Sequence, residues 1–175
     1  NAFIHFAAIV PINQVIKNKN KAYKVNYLGT KNIIDAIIKY KKNENIWFFF
    51  SSTSHVYKTT KNKIKLNENS KIKPFNYYGQ IKYRAEKYIL KKLKKTKIKY
   101  CVGRIFSFTH YKQNKEYFVP SVFKKIFSKK KHIIFKNVNT YRDFIHLEDL
   151  LHAMKILHDN KKNGVFNIGS GEKTN

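Results

Sequence analysis

Ile46-Trp47-Phe48-Phe49-Phe50-Ser51-Ser52-Thr53 is the stretch on which the fold turns. A short apolar run ending in three hydroxyl side chains reads as a buried parallel strand entering a site loop. A strand covered on both faces has no reason to alternate apolar with polar positions. Beyond a polar stretch, residues 58–73, comes Asn76-Tyr77-Tyr78-Gly79-Gln80-Ile81-Lys82. It opens a helix read over residues 77–95, with Pro74 just upstream. A Tyr four residues before a Lys puts phenol and ammonium on one helix face, about one turn apart. The ammonium favours the phenolate, so the spacing predicts that Tyr78 titrates below its reference value of about 10. A hydroxyl residue at the end of the strand is placed to supply a second hydrogen bond to the same substrate oxygen. Together these groups make a proton-transfer site for an alcohol or carbonyl. Tyr-x-x-x-Lys alone is a weak signal in a chain with 12 Tyr. The strand before it and the helix around it give it weight.

The flanking segments extend the pattern. Residues 2–8 read as a buried strand. Residues 21–42 read as a long helix, because Val25, Leu28, Ile33, Ile34, Ile37 and Ile38 lie near a 3.6-residue spacing. Residues 98–105 read as the third strand. Strand, helix, strand, helix, strand predicts the α/β class, a parallel sheet with helices on its faces. After Arg104 the periodicity is less regular. A helix is expected over 119–127, with Pro120 near its first turn, and short strands over 132–135 and 144–145. A helix over 147–158 presents Leu150, Leu151, Met154 and Leu157, and a strand over 165–168 ends at Gly169-Ser170-Gly171. A soft boundary at 107–116 divides residues 1–106, the sheet part, from 107–175, a smaller substrate-covering part with some segments returning to the sheet part.

Composition sets limits. The chain has 175 residues, 42% of them apolar, enough for one domain or a piece of a larger one and too apolar for disorder. The formal net charge of +27 admits a polyanion partner. However, Lys is spread over nearly every segment, with denser runs at 91–95 and 129–131, and no aromatic-basic recognition motif accompanies it. Compositional bias explains the charge better than nucleic-acid binding, and no nucleic-acid partner is expected. The general positive field suits phosphorylated small substrates. Cys101 is the only cysteine, so no intrachain disulfide forms and a reducing, cytoplasmic setting is expected. No apolar stretch approaches the roughly 20 residues of a membrane span, so no membrane partner is expected. The apolar opening over residues 2–10 lacks a basic leader and reads as a strand rather than a signal peptide.

Five stretches, taken in order, resemble one family. They are His5-Phe6-Ala7-Ala8; Asn26-Tyr27-Leu28-Gly29-Thr30; Ser51-Ser52-Thr53 with Val56-Tyr57; Tyr78 to Lys82 with Ala85-Glu86; and Arg142-Asp143-Phe144-Ile145-His146 with Asp149, followed by Phe166-Asn167-Ile168-Gly169-Ser170-Gly171. The chain resembles the extended short-chain dehydrogenase/reductases of the NAD-dependent epimerase/dehydratase type. The resemblance implies a Rossmann-like doubly wound parallel sheet with a smaller C-terminal substrate-binding part, and NAD or NADP as cofactor. It implies a nucleotide-sugar substrate modified by hydride transfer at a sugar carbon. Epimerisation of the UDP-glucose 4-epimerase kind comes first, and reduction of a 4-keto nucleotide sugar is the alternative. By the same resemblance Tyr78 is the catalytic acid/base, Lys82 supports it and holds the nicotinamide ribose, and Thr53 bonds the reacting sugar oxygen. Ala7, Ala8, Asn26 and Ser51 fall to the cofactor side, with Asn26 supporting the site from the adjacent helix. Ser107 and Arg142 fall to the substrate side, Arg142 on the diphosphate. A homodimer paired through helices that include the Tyr-Lys one is also implied. No side-chain cluster has metal-ligand spacing, so no metal is expected.

Departures from the family pattern matter as well. The glycine-rich phosphate loop G-x-x-G-x-x-G is absent, so the sheet is expected to be incomplete, with its first strands missing. The chain is then an N-terminally truncated piece, inactive alone and weak in binding dinucleotide, for which sub-millimolar NAD or NADP affinity would be contrary evidence. Lys58 stands where the family has Gly, and Ser107 where many epimerases have Asn. The 4,6-dehydratases place an Asp-Glu pair directly after the Thr; here Ser54 and His55 replace it, which removes the acid and base of dehydration. His55 reads as a surface residue before a proton donor, and His5 and His146 as packed structural residues.

Overall fold

The computed structural model describes residues 1–42, 44–58, 64–128, 132–135 and 140–175. In chain order the elements are β1 (Ala2–His5), α1 (Ile12–Lys17), α2 (Lys19–Tyr23), a π-helical turn (Lys24–Gly29), α3 (Thr30–Lys41), β2 (Trp47–Thr53) and a 3₁₀ turn (Ser54–Val56). They continue with α4 (Tyr77–Leu93), β3 (Lys99–Ile105), β4 (Ser107–Thr109), α5 (Phe118–Ile126), β5 (Phe144–His146), α6 (Leu147–Asp159) and β6 (Gly164–Ile168).

Four strands form one sheet in the order β1-β2-β3-β6, and every pairing is parallel. Successive residues of β2 point to opposite faces, and each face meets its own core. Phe48 and Phe50 pack with Ile34 and Ile37 of α3 and Ala85, Ile89 and Leu93 of α4. Trp47 and Phe49 pack with Cys101, Ile105, Ile168, and Leu150 and Met154 of α6. Helices thus cover both sides of the sheet, which is why 47–50 reads as an unbroken apolar run. At about 25 cal/mol per Å² of apolar surface, each of these four aromatic side chains contributes several kcal/mol of burial before entropy is counted. Gly103 of β3 is required by that density: a Cβ there would lie 2.7 Å from Phe49 Cζ.

A second, two-stranded parallel sheet pairs β4 with β5. It stands beside the C-terminal ends of β3 and β6, where Phe106 N–H still bonds to Ile168 O at 2.9 Å. The C-terminal elements therefore divide: β6 and α6 join the main sheet, while β4, β5 and α5 stand beside it.

Several expectations are corrected. The strand over 2–8 ends at His5. The helix over 21–42 begins at Lys19 and is interrupted by the π-helical turn, where the chain inserts an extra residue per turn. Residues 132–135 are not a strand: they have no ladder partner among the described residues, and Ile134 is 75% exposed. Helix α1 and strand β4 have too few residues for periodicity to declare them. The lysine run 129–131 and part of the polar stretch 58–73 lie outside the described residues.

Candidate active site

Strand β2 delivers Ser51, Ser52 and Thr53 to the C-terminal end of the sheet, the end at which open α/β sheets bind ligands. Ser51 and Thr53 line a cleft of about 580 Å³, and the buried Ser52 hydroxyl donates to the Glu86 carboxylate of α4. Thr53 Oγ1 also accepts the His55 N–H at 3.3 Å, so it caps the 3₁₀ turn while facing the cleft.

Helix α4 begins where Asn76 says it should. Asn76 Oδ1 accepts the Gly79 N–H at 2.8 Å, an N-cap that fixes the phase of the first turn. In that phase Tyr78 and Lys82 both face inward, 7% and 2% exposed, and both line the cleft. Lys82 Nζ donates to Ser51 O at 2.6 Å and lies 4.6 Å from the centre of the Phe50 ring. Burial lowers the Lys82 ammonium to about 8, and Glu86, one turn further along α4, pulls it back upward.

The structure corrects the sign expected for Tyr78. Its phenol lies well above its ordinary range, first because it is buried and then because of Tyr117. Spacing along α4 places Lys82 a turn away, but the ammonium is committed to the Ser51 carbonyl and the Phe50 ring. Tyr78 therefore sits in the cleft as a protonated phenol, a hydrogen-bond donor.

Behind the cleft lies a buried polar network that the sequence reading did not find. Glu86, 0% exposed in its side chain, receives Arg104 Nη2 at 2.8 Å and Nε at 3.2 Å. Arg104 Nη1 donates to Tyr57 Oη at 3.0 Å, and Tyr57 Oη donates to Asn167 Oδ1 at 2.6 Å. Asn167 N–H donates to Glu68 Oε1 at 2.7 Å. The chain of bonds joins α4, β3 and β6 to the segment after β2. The available signal was Arg104 itself, a charge inside an apolar strand, which demands a buried partner.

The other expected residues divide. Ala8, Ser107 and Arg142 line the cleft. Ala7 is exposed and does not. Asn26, 1% exposed, does not reach the cleft. Its Oδ1 accepts Ile9 N–H at 2.7 Å and its Nδ2 donates to Ile9 O at 2.9 Å. It thereby fixes, from the π-helical turn, the backbone between Ala8 and Val10 that forms one cleft wall. Arg142 is exposed at the cleft's edge, its guanidinium 5.1 Å from the Phe118 ring, and its backbone pairs with Thr174.

The histidines divide too. His5 is buried and structural: Thr30 Oγ1 gives its proton to Asn26 O, so His5 Nε2–H donates to Thr30 Oγ1 at 3.0 Å. His146 is exposed rather than packed and caps α6 by accepting Glu148 N–H. His55 is a cleft-wall residue rather than a surface one. Asp143 accepts from Ser170 and Gly171 N–H at 2.8 Å each and so holds the turn in which Gly171 adopts φ +77°. Among the described residues no group of three His, Cys, Asp or Glu converges as a metal site.

The NAD dependent epimerase/dehydratase family model matches residues 1–169. A Methanocaldococcus jannaschii protein provisionally named UDP-glucose 4-epimerase is 32% identical over 98% of this chain and 56% of its own length. The UDP-glucose 4-epimerase of Mycoplasma genitalium is 28% identical over 95% of this chain and 55% of its own. Among solved structures, the Thermotoga maritima UDP-glucose 4-epimerase with UDP-glucose superposes with TM-score 0.85 at 27% identity, covering 99% of this chain and 56% of that one. The Methanobrevibacter ruminantium UDP-N-acetylglucosamine 4-epimerase gives 0.87 at 21%, again over 99% of this chain and 56% of that one, a likeness of fold. The chain spans about half the length of the curated relatives it matches.

Proposed function

The chain belongs to the NAD dependent epimerase/dehydratase family, and on that premise we propose that the whole protein inverts a sugar carbon of a nucleotide sugar. The observation that carries this reading is one cleft shared by Thr53, Tyr78 and Lys82, with the Lys82 ammonium anchored on the Ser51 carbonyl.

The cleft's chemistry fits the nicotinamide riboside half of NAD or NADP. Lys82 spends one of its three N–H groups on Ser51 O and keeps two for a pair of ribose hydroxyls. Ala8, Val10 and Pro11 line the same cleft with the apolar surface a flat ring takes. When bound, the cofactor supplies the hydride acceptor and donor. This chain's own residues move the proton and hold the sugar. Tyr78, once it has given up its own proton, takes that of the reacting hydroxyl and later returns it to the keto oxygen, Thr53 Oγ1 orients that oxygen, and Lys82 offsets the charge that develops. Ser107 and Arg142 face the rest of the nucleotide sugar, the guanidinium at the exposed end where a diphosphate stays partly hydrated. Residues 1–106 form the cofactor side and 107–175 the substrate side, except that α6 and β6 return to the main sheet. The lone cysteine, buried and pushed up to about 12, is an inert thiol in keeping with a cytoplasmic location. No helix among the described residues is long and apolar enough to cross a membrane.

The raised phenol favours one second reading. A Tyr78 that starts protonated is ready to donate to a carbonyl oxygen, as reduction of a 4-keto nucleotide sugar requires. The two readings separate in one assay. The whole protein, given NAD and UDP-glucose, forms the 4-epimer with no net change in cofactor if it is an epimerase. Stoichiometric consumption of NADPH with a 4-keto nucleotide sugar, and no epimer, supports the reductase. Neither product contradicts both.

A further inference from the structure

The cleft holds one ring nitrogen to which the reading above gives no work. His55 is fixed from several directions. Its imidazole lies 4.9 Å from the Phe75 ring and edge-on to Tyr78 at 5.8 Å. Its backbone carbonyl is pressed against Gly79, where a Cβ would come within 2.3 Å of the oxygen. Its Nδ1 lies 2.9 Å from Asn76 Nδ2.

The last contact decides where the proton is. Asn76 Oδ1 is occupied by the Gly79 N–H, and a backbone N–H only donates, so the amide cannot be turned around. Asn76 therefore presents its NH₂ to the ring, and an amide NH₂ only donates. His55 Nδ1 must accept, which leaves the ring's single proton on Nε2. A second proton on Nδ1 would face the amide hydrogens. Burial first, and then the nearby Arg142 guanidinium, hold His55 below its ordinary value. Tyr78, the other titratable side chain against the ring, is itself neutral. Nε2 has no protein partner among the described residues, and the ring lines the cleft.

We propose that Asn76 locks His55 as the neutral Nε2–H tautomer, and that this N–H donates to a sugar oxygen of the bound nucleotide sugar. The assignment rests on the nucleotide-sugar reading for its acceptor, but not for its tautomer. The α4 cap and the cleft donor are then one device: the side chain that sets the phase of Tyr78 and Lys82 also sets the proton of His55. A permanent donor suits a hydroxyl, oxo or carboxylate oxygen, and it keeps the same direction across neutral pH.

Nitrogen-15 NMR of the histidine-labelled whole protein tests both parts. Wild type is expected to show His55 with Nε2 protonated and Nδ1 bare. Asn76→Asp keeps a good N-cap, so it folds, but it offers a carboxylate to the ring and should move a proton onto Nδ1. Titration with UDP-glucose should shift the His55 Nε2 signal. His55→Phe, which keeps a ring and loses the donor, should weaken UDP-glucose about tenfold, and His55→Gln, which keeps an N–H, should weaken it less. A wild-type proton on Nδ1 overturns the tautomer. UDP-glucose bound equally well by His55→Phe overturns the donor role and leaves the nucleotide-sugar reading standing. No binding of UDP-glucose by the wild type overturns that reading and the donor role with it.

Discussion

Glu86 shows how much one side chain decides. Its carboxylate has no exposure and holds Ser52, Arg104 and the charge balance of Lys82 at once. Removing one member of a buried pair leaves the other charged and uncompensated, at a cost of about 3–5 kcal/mol, whereas replacing both with apolar groups of similar volume is close to neutral. Glu86→Ala is thus expected to lose about that much in urea unfolding. The double change Glu86→Leu with Arg104→Met should recover most of it; equal losses for both variants would contradict the assignment. His5 adds a pH dependence. Burial, and secondarily Lys82, lower it to about 4 from 6.5, so the folded protein keeps His5 neutral while the unfolded chain takes up a proton. The unfolded state binds more protons between those values, and stability falls as pH drops through that window, by at most about 1.4 kcal/mol per pH unit. Lys82 acts on the alkaline side by the same rule. Its folded value is about 8 against 10.5, so the cost of burying its charge is relieved and stability rises with pH between them. Urea midpoints measured across pH check both slopes, and His5→Gln should flatten the acid one. At this scale the meeting of Thr53, Tyr78 and Lys82 in one cleft was legible from residue type and spacing. The sign of the Tyr78 shift was not, because spacing tells where an ammonium starts and not which carbonyl it reaches.

Between elements, the contact that matters most is α4 against the end of β2. It depends on Gly79, whose missing Cβ leaves room for His55 O. Gly79→Ala raises helix propensity by about 1 kcal/mol but drives a methyl into a backbone carbonyl, which has no rotamer with which to yield. A net loss of about 1–3 kcal/mol is expected, with the melting temperature lowered; an unchanged or raised melting temperature would show that α4 has slack there. Strand β2 and helix α4 were legible because each is long enough for its pattern to be unambiguous. The π-helical turn was not, since one inserted residue leaves the apolar spacing of 21–42 nearly intact. Its effect is visible only through Asn26, which it aims at the Ile9 backbone. The strand expected over 132–135 failed for the opposite reason: an apolar run is a strand only if a neighbour supplies the ladder.

For the whole molecule, the parallel order followed from alternating strands and helices, and the layering from the unbroken apolar run of β2. The order β1-β2-β3-β6 did not, because adjacency of β6 to β3 depends on a crossover that local sequence does not encode. Charge acts at this scale as well. A protein of +27 attracts polyanions through counterion release, a contribution that weakens steeply with salt. An RNA gel shift at low salt is expected to vanish at physiological salt; persistence there would revive a nucleic-acid role. The proposed function, however, rests on one cleft and one phenol. The most direct measurement is turnover of UDP-glucose by the Tyr78→Phe variant of the whole protein, with its circular dichroism and melting temperature recorded beside it. A wild-type fold and a kcat reduced about 10²–10⁴-fold are expected. A folded variant that turns over at the wild-type rate would contradict the proposed function.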